Sequence, residues 1–223
     1  MAIMSAVSAE VIAAGVRLLE RDGIGSLSAR NVATEAGTST MAVYTHFGGM
    51  TGLLDAIAVD VFERFAQALT EVPQTDDPVA DFLVMGLAYY RFAQENPQRY
   101  QLMFGTTAPA SIARFRTDLT VTGSASNRAE WALSFGALHR AVHRMMAAGR
   151  IRDDDELAVA GRLWSLNHGA VMLETAGFFG HEGHGLSQIL GPLVIDTLVG
   201  MGDDRGAAMQ SLQSALTRAA ESV

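Results

Sequence analysis

Residues 23–54 read GIGSLSARNVATEAGTSTMAVYTHFGGMTGLL, and the spacing in this stretch decides the fold. Ser28 is a helix N-cap, because its hydroxyl can accept a backbone N–H from the first turn that follows. Leu27 before it and Val32 four residues on form a hydrophobic staple. Val32, Ala33 and Ala36 then face inward, and Gly37 supplies a sharp turn. Ser39 caps a third, very short helix, whose Val43 and Phe47 share one face at i and i+4. A helix, a short glycine turn and a second helix make the shape of a helix-turn-helix, whose second helix enters the DNA major groove. Threonine and methionine can touch bases or the thymine methyl group. Arg30, Ser28, Tyr44 and His46 suit phosphate contacts that fix register. The candidate DNA-binding residues are therefore Ser28, Arg30, Ser39, Thr40, Met41, Tyr44, Thr45 and His46. A plain helical hairpin with a polar face has the same spacing, so spacing alone leaves both readings open.

Working outward, residues 1–23 read MAIMSAVSAEVIAAGVRLLERDG. Ser8 caps a first helix; Val7, Val11, Ile12, Gly15, Leu18 and Leu19 form its apolar face, and Gly23 ends it. The segment has no basic start, so it reads as a mature helix and not a signal peptide. No apolar run reaches the roughly 18 residues of a spanning helix, and the expected location is the cytoplasm, without a membrane. Downstream, helical periodicity continues to the end, interrupted by Gly- and Pro-rich punctuation, for roughly nine or ten helices in all. The expected fold is all-α. A three-helix helix-turn-helix unit spans 1–50, a fourth helix at about 51–71 connects, and a helical bundle fills 72–223.

Composition narrows the chemistry. At 223 residues with 49% hydrophobic and 18% charged, the chain can bury a real core. It has no cysteine, which excludes disulfides, zinc-thiolate sites and a thiol nucleophile. All 16 basic residues are arginine, so lysine Schiff bases and a P-loop lysine are excluded too. Against 24 acids the net charge is −8, which argues against a general nucleic-acid coat. The acidity is unevenly placed. Residues 1–50 hold Arg17, Arg21 and Arg30 against Glu10, Glu20, Asp22 and Glu35, a net of −1, so −7 lies in residues 51–223. The DNA-facing end is close to neutral, which predicts weak non-specific binding, tight binding only at a matching dimeric site, and a modest salt slope.

The stretch Gly23–Leu54 resembles the DNA-binding domain of TetR-type transcriptional regulators. Ser28, Arg30, Val32, Ala33, Ala36, Gly37, Val43, Tyr44, His46, Phe47, Leu53 and Leu54 match the family pattern in place. One position departs from it: the family usually carries a lysine shortly after the Phe-Gly turn, and here Met50 stands there after Gly49. Either the phosphate grip rests on Arg30, Tyr44, His46 and helix N-terminal amides, or DNA binding is weaker or tied to ligand release. Asn96-Pro97-Gln98-Arg99-Tyr100-Gln101-Leu102-Met103-Phe104 and Trp164…His168-Gly169 with Leu173-Glu174 resemble C-terminal motifs of a subset of that family. The resemblance implies an all-α regulator that binds a palindromic double-stranded operator as a homodimer. It further implies release when a hydrophobic small molecule enters a C-terminal domain, at 72–223, that also dimerises.

Residues downstream supply a candidate ligand site: Phe82, Met85, Tyr89, Met103, Phe104, Trp131, Phe135, His139, His143, Trp164, His168 and Met172. Such an aromatic and methionine stripe is ordinarily core, but methionine also adapts to variable apolar ligands. His139 and His143 lie at i and i+4, yet the segment has no HExxH, cysteine or carboxylate, so hydrogen bonding to a ligand is preferred to a metal site. No metal or other cofactor is expected. The nearly uncharged stretch 186–199 and the helix over 157–179 are the candidate dimer surface, with Leu157, Val171, Phe178, Ile189, Leu193, Val194 and Leu198. Two other functions compete: a helical carrier or partner-binding protein with lost DNA binding, and a helical enzyme, which no nucleophile–base spacing supports.

Overall fold

The computed structural model describes residues 6–105, 108–180 and 182–221, Glu130 by its backbone alone. Twelve α-helices and no strand form among the described residues, as the periodicity predicts for an all-α chain. The count exceeds the nine or ten read from sequence. Ala110–Ala113 and Leu119–Thr122 are single-turn helices, too short to leave a periodic signature.

The first three helices, α1 (Ala6–Asp22), α2 (Ala29–Glu35) and α3 (Thr40–Phe47), form a small head. Ser8 lies inside α1 and does not cap it. Its neighbours Val11, Ile12, Leu18 and Leu19 are buried with Val32, Ala33 and Val43, and full burial of each large side chain is worth about 1.5–3 kcal/mol. Ser28 caps α2 as read, its Oγ accepting the Asn31 N–H at 3.2 Å. Ser39 occupies the α3 N-cap without a side-chain hydrogen bond. Gly37, at φ 63°, makes the turn between them in the left-handed region that suits glycine.

Helix α4 (Met50–Thr70) joins the head to the rest. At its start a Cβ on Gly52 would stand 2.0 Å from the Phe47 carbonyl oxygen, so only glycine lets α4 leave α3 at this angle. Leu53 and Ile57 belong to the head core, while Phe62, Phe65 and Leu69 reach into the bundle.

The bundle comprises α5 (Pro78–Glu95), α6 (Pro97–Phe104), α7 (Ala110–Ala113), α8 (Leu119–Thr122), α9 (Ala129–Ala147), α10 (Glu156–Thr175), α11 (Gly191–Gly200, entered through a π-helical stretch at Gly185–Leu190) and α12 (Arg205–Glu221). Helix α4 packs along α9 and α5, α5 along α12, and α9 against α10. Buried carboxylates clamp these helices. Asp81 on α5 accepts from Arg144 of α9 at 2.7 Å, from Arg218 of α12 at 2.8 Å and from the Thr75 N–H at 2.8 Å. Arg150 pairs with both oxygens of Asp203 at 2.8 and 3.0 Å and with Asp77 at 3.0 Å. An ion pair from Arg99 of α6 to Glu20 of α1 straps the head down, and Arg114 pairs with Asp55 of α4 at 2.8 Å. Among the described residues no helix is long and apolar enough to cross a membrane.

Candidate functional site

Two places in the molecule gather the residues singled out by sequence. The first is the outer face of the head. Arg30, Ser39, Thr40, Met41, Tyr44, Thr45 and His46 are exposed and Ser28 is half-buried, while Val43 beneath them is fully buried. Met41 and Tyr44 are 69% and 58% exposed, more than packing alone would leave on a short helix. Charge on this face is thin. Arg17 is held by Glu10 and Glu35, and Arg21 by Asp22 and Glu35. Arg30 is the one arginine of the head without an ion pair among the described residues. Met50 opens α4, half-buried against the core. Where a lysine would reach outward, methionine packs inward, and the Gly49 N-cap leaves the first amides of α4 without a side-chain acceptor.

The second place is a cavity of about 340 Å³ in the bundle, at the small end of the range for ligand sites. Met85, Tyr89, Met103, Phe104, Trp131, Phe135, Trp164 and His168 line it, as do Phe62, Phe65 and Leu69 of α4. Ring packing is dense: Phe62 stacks on Trp131 at 4.3 Å between centroids, and Phe104 meets His168 edge to face at 5.2 Å. At one side runs a polar chain. The Tyr89 and Tyr100 hydroxyls lie 2.7 Å apart, and both approach His168 Nδ1, Tyr100 Oη at 2.5 Å and Tyr89 Oη at 3.1 Å. Burial pushes the Tyr89 hydroxyl up to about 12 and Tyr100 further in the same direction. Burial, and then the nearby Arg116 charge, lower His168. At neutral pH the tyrosines therefore stay protonated and His168 stays neutral. The two C-terminal motifs, one carrying Tyr100 and the other Trp164 and His168, meet in this chain.

Four expected cavity residues lie elsewhere. His139 and His143 face the start of α10 and share Glu156, at 3.0 and 2.6 Å, both with substantial exposure. Their spacing showed that they share a face of α9, but not which neighbour that face meets. Phe82 is buried in the core away from the cavity wall, and Met172 is half-buried and likewise off the wall. Sequence reading missed the α4 side of the cavity and Arg116. Phe62, Phe65 and Leu69 lie in a helix read only as a connector, although their i, i+3, i+7 spacing carried the signal. Arg116 lies in a segment read as punctuation.

The candidate dimer residues also divide. Phe178, Ile189 and Leu193 are 74%, 44% and 45% exposed. Val171 and Leu198 are fully buried in the chain's own core, so neither presents a free face, and Leu157 and Val194 are half-buried against it. A uniformly apolar helix gives no sequence signal for which side is covered internally. Leu173, on α10, is 46% exposed as well.

Comparison with known proteins bears on both places. Residues 11–57 match the family described as bacterial regulatory proteins, tetR family, and residues 82–190 match the tetracyclin repressor-like C-terminal domain. The HTH-type transcriptional regulator Rv1816 of Mycobacterium tuberculosis is 27% identical over 157 residues, 68% of this chain and 62% of that protein. The chain thus spans under two thirds of that relative's length. Among solved structures, a protein of unknown function from Rhodococcus sp. RHA1 has 23% identity and a TM-score of 0.69, covering 90% of this chain and 97% of that one. RolR in complex with resorcinol has 17% identity and a TM-score of 0.60, covering 92% of each chain. At these identities the structural likeness speaks for the fold.

Proposed function

Since the chain belongs to the tetR family of bacterial regulatory proteins, we propose that it is a ligand-responsive DNA-binding regulator, acting as a homodimeric repressor of a palindromic operator. The carrying observation is that one helix serves both places. Helix α4 contributes Leu53 and Ile57 to the head core and Phe62, Phe65 and Leu69 to the cavity wall. A ligand that displaces those rings tilts the helix on which the head is mounted. Helix α6 offers a second route, because Met103 and Phe104 line the cavity while Arg99 on the same helix pairs with Glu20 of α1. In a two-fold dimer, such a tilt changes the spacing between recognition helices and removes their match to half-sites one or more helical turns apart.

On the DNA side, Thr40, Met41 and Thr45 face the groove, with Ser28, Arg30, Ser39, Tyr44 and His46 at the phosphates. The unfilled amides at the start of α4 stand in for the family lysine. Phe178, Ile189, Leu193 and Leu173 form the dimer surface with the exposed sides of α10 and α11. RolR, whose structure holds resorcinol, supports the reading of the cavity as an effector site. The test is protection of the DNA flanking the chain's own gene, measured at low salt with and without aromatic ligands. Protection relieved by a ligand supports the reading; no retardation of that DNA at any concentration overturns it.

A further inference from the structure

The cavity wall carries charge of one sign. Among the described residues that line it, Arg116 is the only one with a permanent charge, and no aspartate or glutamate is present. Arg116 lies between α7 and α8, and its Nη2 donates to the carbonyls of Met103 at 3.1 Å and Gly105 at 3.2 Å. Those bonds fix one edge of the guanidinium against the end of α6. It has no carboxylate partner among the described residues. The wall therefore offers one cation among the aromatic rings of Phe104, Phe135 and Trp164.

We infer that the effector is a small aromatic carboxylate of one or two rings, seated with its ring among the aromatic side chains and its carboxylate paired with Arg116. This rests on the reading of the cavity as the effector site. An Arg–carboxylate pair is planar and charge-assisted, and it gains strength when shielded from water. An aromatic cation finds no anion on the wall and loses its hydration without compensation. A volume of about 340 Å³ holds one or two fused rings, not a steroid or a long acyl chain.

The test uses three probes of one shape, 2-naphthoate, 2-naphthamide and 2-naphthylmethylammonium, titrated calorimetrically into the full chain. The acid is expected to bind about tenfold tighter than the amide, with the ammonium weakest. In Arg116→Gln the acid falls to the level of the amide, whose own affinity is unchanged, and in Arg116→Lys the preference for the acid persists. The proposal is overturned if the amide or ammonium binds as tightly as the acid, if none of the three binds, or if Arg116→Gln keeps the preference. Operator affinity separates the two readings. A probe that binds but leaves DNA affinity unchanged removes the effector role of the cavity and spares the charge preference. An amide that binds more tightly than the acid and releases DNA does the reverse.

Discussion

The head carries its candidate contacts outside, and the bundle carries its own inside. On α3 the residues offered to a partner are the exposed ones, Met41 and Tyr44, over a buried Val43. Around the cavity the important groups, Tyr89, Tyr100 and His168, hydrogen-bond one another, the two tyrosines buried and His168 half-buried. The head can therefore lose a contact residue without losing its fold, whereas a change at Tyr89, Tyr100 or His168 disturbs the packing of the bundle. Substitutions at the head should alter DNA affinity at constant stability, and substitutions in the bundle should move stability first.

The largest effect is expected at Asp81→Asn, which leaves Arg144 and Arg218 facing a neutral group. A loss of about 3 kcal/mol in unfolding free energy is expected by urea denaturation. Burial alone would raise the Asp81 carboxyl, but hydrogen bonds from Thr75 and the pairs with Arg144 and Arg218 outweigh it and hold it below the usual carboxylate range. A carboxyl lowered by folding stabilises fully above its unfolded value, near pH 4. The gap between wild type and Asp81→Asn should thus be widest at neutral pH and close as pH falls below about 4. A gap that stays constant down to pH 3 would contradict the clamp.

Gly52→Ala tests the joint between the two regions. Its Cβ meets the Phe47 carbonyl, so α3 must swing away from α4, and operator affinity should fall about 100-fold, about 2.7 kcal/mol, with the bundle's ligand affinity retained. Arg30→Ala should cost about tenfold in operator affinity and reduce the salt slope by about one, at unchanged melting temperature. Tyr100→Phe is milder. Tyr89 Oη already lies 3.1 Å from His168 Nδ1 and can donate there directly, so the cost should be about 1 kcal/mol of stability. His143→Ala should change neither ligand nor operator affinity, since its partner Glu156 lies off the cavity; a loss of ligand binding would restore the sequence-based placement.

The same contrast explains what the sequence disclosed. The head was legible because its determinants are local: a cap at Ser28, a left-handed turn at Gly37 and an i, i+4 pair at Val43 and Phe47, all inside thirty residues. The all-α class was legible for the same reason. The cavity joins residues from Phe62 to His168, and helical spacing tells which residues share a face, but not which face meets which. That is why Trp164 and His168 were placed on the wall together with His139 and His143, which point to Glu156. It is also why Val171 and Leu198, apolar in an apolar stretch, were assigned outward when the core had already taken them. Arg116 left no periodic trace, because it sits in an irregular segment between two single-turn helices.

The central claim is that the outer face of α3 reads DNA. Selection of bound duplexes from a random pool, with wild type and the Arg30→Ala/Tyr44→Ala double variant side by side, tests it most directly. The account predicts that wild type enriches an inverted repeat bound about 1000-fold tighter than random duplex. It also predicts that the double variant, folded and equally stable, enriches nothing. No enrichment by wild type, or the same sequence enriched by the double variant with unchanged affinity, would contradict it.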